Sequence, residues 1–455
     1  MLPERFLARM ERLLGAEYEA FYTALSDGKA EKAVRVNLAK ATPEEFLAVS
    51  PFPVEPIPFL SEGFFTKEDR LGQYPCHHSG MIYAQDPSAM ATVAALDIDP
   101  AWRVLDLCAA PGGKATQIAA RLSGGGHLVA NEFVPSRCKI LVGNVERLGL
   151  PNVTVMNSDV FRIRALYESY FDLVVVDAPC SGEGMLRKYG VAGEEWTEEN
   201  VKMCAVRQAE LLDNVAHTVA SGGYLLYSTC TFSLEENEGN VDKFLRNHTD
   251  FHLIPVRPAL SAVTSDGIAF DGCETKDIAL CRRFYPHVFR GEGQFIALMR
   301  RDENGAAPRV SYKNAAVPLS KSDAAVVRAF LRENLAETDG LSVVSLGGRP
   351  TVLPEGGTVP PHAVFSAGVL LGEVRKGLLL PHHQFFMAYG KRMHRILSLS
   401  SDDPRVAAYL HGEEIDASLP NGWAAVTVDG CTVGGVKVSS GRAKNHYPKG
   451  LRNNH

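Results

Sequence analysis

Short apolar runs alternate with amphipathic stretches through the middle of the chain. Trp102–Cys108, His127–Glu132, Asn152–Val155, Phe171–Asp177 and Tyr224–Ser228 are apolar runs of strand length. The run FDLVVVD (171–177) is nearly continuous, as in a strand buried on both faces. Between these runs Ala115–Leu122, Ser136–Leu148 and Glu198–Ala220 space their apolar residues helically, and Gly222-Gly223 reads as a stop to the last. Repeated strand–helix units predict a parallel, doubly wound α/β sheet over residues 81–301.

The flanks read differently. Pro3 to Leu25 carries Phe6, Met10, Leu13, Leu14, Phe21 and Leu25 at largely helical spacing, Ala33–Leu38 reads as a strand, and Pro51–Pro58 breaks the periodicity. Residues 1–80 therefore form a small mixed α+β unit. The stretch Asp302–Ser322 is loose and polar, a linker into a middle unit (302–375) with a helix from Lys321 to Leu335 and Gly/Pro-rich short strands. Residues 376–455 hold short strands, Ala424–Val428 and Val433–Val438, with turns at Asn421-Gly422 and Asp429-Gly430, and predict a small β-rich barrel.

Composition narrows the class. The 455 residues exceed what one hydrophobic core usually supports. Residues 1–6 lack the apolar run of a signal peptide, and no segment reaches membrane-span length. The nine cysteines are scattered without a CxxC pair, which points to a reduced, cytoplasmic compartment. A net charge of −6 argues against coating nucleic acid by bulk charge. From Lys376 onward, however, ten Lys/Arg face six acids, and no acid follows Asp429. Lys391-Arg392 and Arg395 stand near Phe385, Phe386 and Tyr389, a candidate RNA contact. His77-His78 and His382-His383 have no cysteine or acid at ligand spacing, so no metal site is expected.

Arg103–Lys114 (RVLDLCAAPGGK) runs from a strand through a Pro-Gly-Gly turn into a helix. Such a turn offers helix-start N–H groups at the carboxyl edge of the sheet, where α/β proteins bind ligands. GxGxxG is absent, so a dinucleotide fingerprint is not supported. Glu132, Asp159 and Asp177 fall at three successive strand ends, and an acid there accepts ribose hydroxyls; a nucleoside-bearing cofactor is expected. Cys180 follows the run that ends at Asp177 and Cys230 follows the next buried run, so both thiols should face the same crevice. Cys108 sits in the loop itself, and the other six cysteines (76, 138, 204, 273, 281 and 431) read as packing residues.

The series DLCAAPGGKATQ (106–117), ANE (130–132), NSD (157–159), DAPCSGEGM (177–185) and YSTCTFSLEENE (227–238) resembles the ordered motifs of the RNA cytosine-C5 methyltransferases, the NOL1/NOP2/Sun group. LPERFLARM at the start, AQDPSAM (84–90) and NHYPKGLR (445–452) extend the resemblance over nearly the whole chain, toward bacterial members that modify 16S ribosomal RNA. The resemblance implies a Rossmann-like methyltransferase domain dependent on S-adenosylmethionine, an RNA-binding N-terminal extension and a PUA-like C-terminal domain. It implies that Cys108, Ala109, Ala110, Pro111, Gly112, Gly113 and Lys114 hold the methionine part of the cofactor, Glu132 its ribose and Asp159 its adenine end. Asp177 would lie between cofactor and base, Cys230 would be the nucleophile, and Cys180 would help resolve the covalent adduct. The implied partner is RNA, 16S rRNA or the small ribosomal subunit, with no membrane and a monomeric chain.

Two other classes remain open at this level. A DNA cytosine-C5 methyltransferase attacks from the Pro-Cys cysteine and carries a large target-recognition insert, for which the catalytic segment shows no room. A catalytically silent ribosome-assembly factor would not need both cysteines and all three acids. An adenine amino-methyltransferase is disfavoured by DAPC (177–180) in place of an Asn/Asp-Pro-Pro-aromatic motif.

Overall fold

The structure is a computed structural model that describes residues 2–26, 31–123, 125–187, 196–354 and 357–452. Its centre is a ten-stranded sheet. In chain order the parts that position the site are strand β1 (Arg103–Asp106), helix α1 (Gly113–Arg121), β2 (His127–Asn131), α2 (Pro135–Leu148), β3 (Val153–Met156), α3 (Val160–Leu166), β4 (Phe171–Asp177), α4 (Glu198–Val215), β5 (Val219–Thr229) and β6 (Gln294–Arg301). The spatial order is β3-β2-β1-β4-β5-β6; the first five run parallel, and β6 is antiparallel to β5. The order reverses between β1 and β4, which opens a crevice above their carboxyl ends.

Alternation along each strand feeds two cores, one per face. Val104, Leu128, Val153, Leu173, Val175 and Leu226 pack with Ile118 and Leu141 on one side. Leu105, Val129, Met156, Val174, Val176 and Leu225 pack with Ile163, Leu212 and Val215 on the other. Both faces are covered, which is why these strands read as continuous apolar runs.

Two boundaries differ from the sequence reading. Helix α4 ends at Val215, and Val219 already pairs with Phe171 in the sheet. Gly222-Gly223 therefore does not stop a helix. It sits where the β5 register shifts between Val219 and Tyr224, with Gly222 at φ 72°, a bulge inside the strand. The polar stretch after Asp302 also pairs: Arg309–Val310 bonds to Tyr167–Glu168. Farther on, Val364–Ala367 (β7) joins the sheet edge antiparallel to β3. Both elements of the middle unit are too short to show a period.

The N-terminal unit is a helical pair, Glu4–Leu14 and Tyr18–Ser26, followed by a four-stranded sheet of Lys32–Val36, Glu55–Ile57, Leu60–Thr66 and Ile82–Ala84. The C-terminal unit is a five-stranded sheet around Val426, Val436 and Tyr409. Phe385, Phe386 and Tyr389 are buried in the core beneath it, so they offer no face to RNA. Lys40 joins three parts of the chain: its buried Nζ donates to the carbonyls of Ser79 (2.5 Å), Arg147 (3.4 Å) and Thr432 (3.4 Å).

Arg35 ties the N-terminal sheet to the Pro-Gly-Gly turn. It is 1% exposed, and its guanidinium donates to Gly113 O (2.6 Å), Gln85 Oε1 (2.6 Å) and Thr116 Oγ1 (2.8 Å). Removing it takes a charged donor from these acceptors and from Gln117 Oε1, all buried or part-buried. Arg35→Ala should cost about 2–4 kcal/mol of stability, read from urea unfolding of the full chain. A loss below about 1 kcal/mol would show that the turn holds itself.

Candidate active site

The carboxyl ends of β1, β2, β4 and β5 converge, because Asp106 stands opposite Ala130 and Val175 in register, and Ser228 opposite Asp177. Above them lies a cleft of about 480 Å³, lined by Leu107, Cys108, Glu132, Phe133, Ser158, Asp159 and Arg207 among others. Three of the acidic or sulfur positions expected from sequence, Cys108, Glu132 and Asp159, thus share one cavity.

Within it Glu132 is buried; its Oε1 accepts from Val134 N at 2.9 Å. Arg137 lies 3.2 Å from Oε2 without donating an aligned hydrogen bond. Asp159 is exposed and caps α3, accepting from Arg162 N at 2.8 Å, which leaves its second oxygen for other work. Gly112 begins α1 at φ 117°, where an added Cβ would stand 3.2 Å from Leu141. Ala109 and Ala110 are buried under the turn, and Pro111 is exposed on it.

Asp177 does not line this cavity; it stands on the neighbouring side of the turn. Lys114 Nζ donates to its Oδ2 at 2.8 Å and Ser228 Oγ to its Oδ1 at 2.7 Å. Gln294 Nε2 in turn donates to Ser228 Oγ at 2.7 Å. Burial opposes the Lys114 charge, but the Asp177 carboxylate outweighs it and holds the ammonium above the usual lysine value. The sulfur of Cys230 acts on Lys114 in the same direction.

The two cysteines meet. Cys180 Sγ and Cys230 Sγ are 3.1 Å apart, each half-buried. The hydrogen bond with Cys230, followed by burial, pushes the Cys180 thiol well above its ordinary value, so it keeps its proton at neutral pH. Their loops are stitched together: Gly184 N donates to Cys230 O at 2.9 Å, and Ser181 Oγ lies 2.8 Å from Thr231 Oγ1.

Relatives give this arrangement its family. Residues 93–300 match the 16S rRNA methyltransferase RsmB/F family, residues 2–87 the N-terminal domain of 16S rRNA methyltransferase RsmF, and residues 396–453 the RsmF PUA domain. Ribosomal RNA small subunit methyltransferase F of Klebsiella pneumoniae (strain 342) is 32% identical, covering 99% of this chain and 96% of its own. The enzyme of the same name from Escherichia coli O6:H1 is 34% identical over 70% of this chain and 67% of its own. A solved methyltransferase homologue from Pyrococcus horikoshii aligns with a TM-score of 0.57 at 29% identity, over 66% of this chain and 95% of that one. The chain belongs to the RsmF family of 16S rRNA methyltransferases.

In this methyltransferase the sequence reading missed several residues of the site. Phe133 is 69% exposed on the cleft wall. Glu183 and Glu236, inside the quoted motifs but given no role, are buried to 1% and 0% and bind the two cysteine loops. Glu183 Oε2 accepts from Thr231 Oγ1 (2.9 Å) and Phe232 N (3.0 Å), and its Oε1 from Trp196 Nε1 (3.0 Å). Acids in a polar loop look solvated in one dimension; only an excess of hydroxyl and amide neighbours hinted otherwise. Asp106 was passed over as a strand residue. Both of its buried carboxyl oxygens lack a hydrogen bond, and the Cys108 N–H eases its charge without reaching hydrogen-bond geometry. Burial first, then the nearby Asp177, raise it from 3.8 to about 7.

That shift has a sign in stability. A carboxyl whose folded value lies above its unfolded value binds its proton more tightly when folded, so it subtracts stability as pH rises from about 4 to about 7. Asp106→Asn should remove that slope, so the variant's stability relative to wild type should rise across this window in urea unfolding. A pH-independent difference would mean Asp106 is already ionised in the folded protein at pH 4.

Proposed function

We propose that the chain forms 5-methylcytosine in 16S rRNA, taking the methyl group from S-adenosylmethionine and using Cys230 as the nucleophile. The observation that carries the reading is the pair of thiols 3.1 Å apart beside an Asp177 already oriented by Lys114 and Ser228. Carbon 5 of cytosine is a weak nucleophile, and addition of a thiolate to carbon 6 makes it enamine-like. We assign Asp177 to the cytosine edge, where a proton delivered to N3 relieves the negative charge that develops during that addition. The Lys114 ammonium, held by Asp177, brings a positive charge to this side of the site. We assign Cys180, the second sulfur beside Cys230, to the elimination that frees Cys230: the carbon-5 proton passes to a water that Cys180 orients as the bond between carbon 6 and the Cys230 sulfur breaks.

The cleft fits the cofactor by its unpaired polar atoms. Asp106 Oδ1 and Oδ2, Asn131 Oδ1, Glu132 Oε2 and Ser158 Oγ are buried without hydrogen-bond partners, and all sit around the turn and the two strand ends beside it. Buried acceptors left open in this way call for donors from a ligand. We place the cofactor's ammonium and methionine part along Asp106 and residues 108–114, its ribose hydroxyls on Glu132, and its adenine between Asp159 and Phe133. When bound, the sulfonium supplies an electrophilic methyl group. The PUA domain supplies RNA contact through Lys437, Lys444 and Lys449, all exposed; Arg442 is engaged with Glu414 and Asp416. We assign the enzyme to the cytoplasm, as a monomer on RNA. No helix among the described residues is long and apolar enough to cross a membrane, and no metal-binding cluster is present among them.

Glu132→Ala should weaken S-adenosylmethionine binding by about 1–3 kcal/mol in calorimetry, through lost ribose hydrogen bonds. Unchanged affinity would move the ribose elsewhere. The chemistry is tested by the two thiols separately. With 16S rRNA transcribed in vitro, Cys230→Ala should abolish methyl transfer and leave no protein–RNA species on a denaturing gel. Cys180→Ala should attack and methylate but stall, accumulating that species. The reverse pattern would make Cys180 the nucleophile.

A further inference from the structure

Glu236 is fully buried, and its four hydrogen-bond donors, Ser181 N, Ser181 Oγ, Gln208 Nε2 and Ser233 Oγ, are all uncharged. A carboxylate placed so deep carries a desolvation cost that its hydrogen bonds must offset. What it does contribute is geometry. Its Oε2 accepts from Ser181 N at 3.0 Å, the peptide that follows Cys180. The same oxygen accepts from Gln208 Nε2 at 2.7 Å, and that amide also donates to Pro179 O at 2.9 Å, the peptide that precedes Cys180. Its Oε1 accepts from Ser233 Oγ at 3.0 Å, on the loop of Cys230. The residue is itself anchored, because Tyr227 OH donates to its carbonyl at 2.6 Å.

We propose that Glu236 is the positioning residue for Cys180: its carboxylate holds the peptide after this cysteine directly and the peptide before it through Gln208, ties both to the Cys230 loop, and so sets the distance between the two sulfurs. It touches neither substrate nor cofactor. The consequence for turnover rests on the reading of Cys180 as the resolving thiol; the spacing itself does not. Its negative charge also opposes loss of the Cys180 proton.

Glu236→Gln isolates geometry from charge. With its amide oxygen toward Ser181 N and Gln208, and its NH2 toward the hydroxyls of Ser181 and Ser233, glutamine can satisfy the same four partners. Glu236→Ala removes all of them. Spacing is read directly with phenylarsine oxide, whose arsenic binds two thiols only when they are close; capture on the full chain is followed by mass spectrometry, with Cys180→Ala and Cys230→Ala defining the signal. Glu236→Ala should lower the capture rate about tenfold or more, since small misplacements of reacting groups cost rate steeply, while Glu236→Gln stays within about threefold of wild type. In the 16S rRNA assay Glu236→Ala should also raise the stalled adduct toward the Cys180→Ala level, and Glu236→Gln should restore release. Gln208→Ala, which cuts the Pro179 limb and also removes the acceptor of Tyr227 OH and Asn240 Nδ2 but leaves Glu236 on Ser181 and Ser233, replaces Glu236→Ala if that variant does not fold. Wild-type protein that fails to capture the arsenical, or capture unchanged in the alanine variants, overturns the proposal. Capture that depends on Glu236 while Cys180→Ala builds up no adduct upholds the positioning and removes the resolving role.

Discussion

The parallel register between β4 and β5 is the constraint on which the site depends. Ser228 stands opposite Asp177, so the two chain segments leave the sheet side by side, and three residues past Asp177 and two past Ser228 their sulfurs meet. A shift of one residue would turn Asp177 toward the opposite face and separate the loops. The register is held by apolar burial, with Val174, Val175 and Val176 inaccessible on one strand and Leu225, Leu226 and Tyr227 on the next. Hydrophobic packing below the site thus decides polar geometry within it.

Above the sheet, order comes from buried charge rather than from packing. Glu183 and Glu236 gather hydroxyl and amide donors from both cysteine loops. Glu238 forms a buried ion pair with Arg283, whose guanidinium also donates to Phe232 O at 2.8 Å. Loops that leave a sheet have no ladder to hold them; carboxylates accepting several hydrogen bonds act as local centres of order. The N-terminal helices press on the same loops through Phe6 against Trp196 and Phe21 against Phe232.

The flanking units also brace the catalytic domain. Arg35 of the N-terminal sheet bonds to the turn that begins α1, and Lys40 binds carbonyls of three separate parts of the chain. His78 and His383 both pack on Tyr447, with His78 Nδ1 3.0 Å from its hydroxyl. These histidines and Tyr447 join the N-terminal and C-terminal units. The PUA domain is therefore set relative to the rest of the chain by side-chain contacts of Lys40, His78, His383 and Tyr447.

The strand–helix alternation, the paired cysteines at strand ends and the acids at Glu132, Asp159 and Asp177 were legible in the sequence, because burial on both faces and a turn into a helix leave local patterns in composition. The bulge at Gly222-Gly223 was not, since a glycine pair reads alike at a helix end and inside a strand. Nor were the separate places of Asp177 and Glu132, the open acceptors of Asp106, or the grip of Glu236 on both sides of Cys180. Each depends on which residues distant in the chain come within about 3 Å of one another, the range of a hydrogen bond. Periodicity carries the direction in which a side chain points; the partner it finds there is decided by packing of the whole fold.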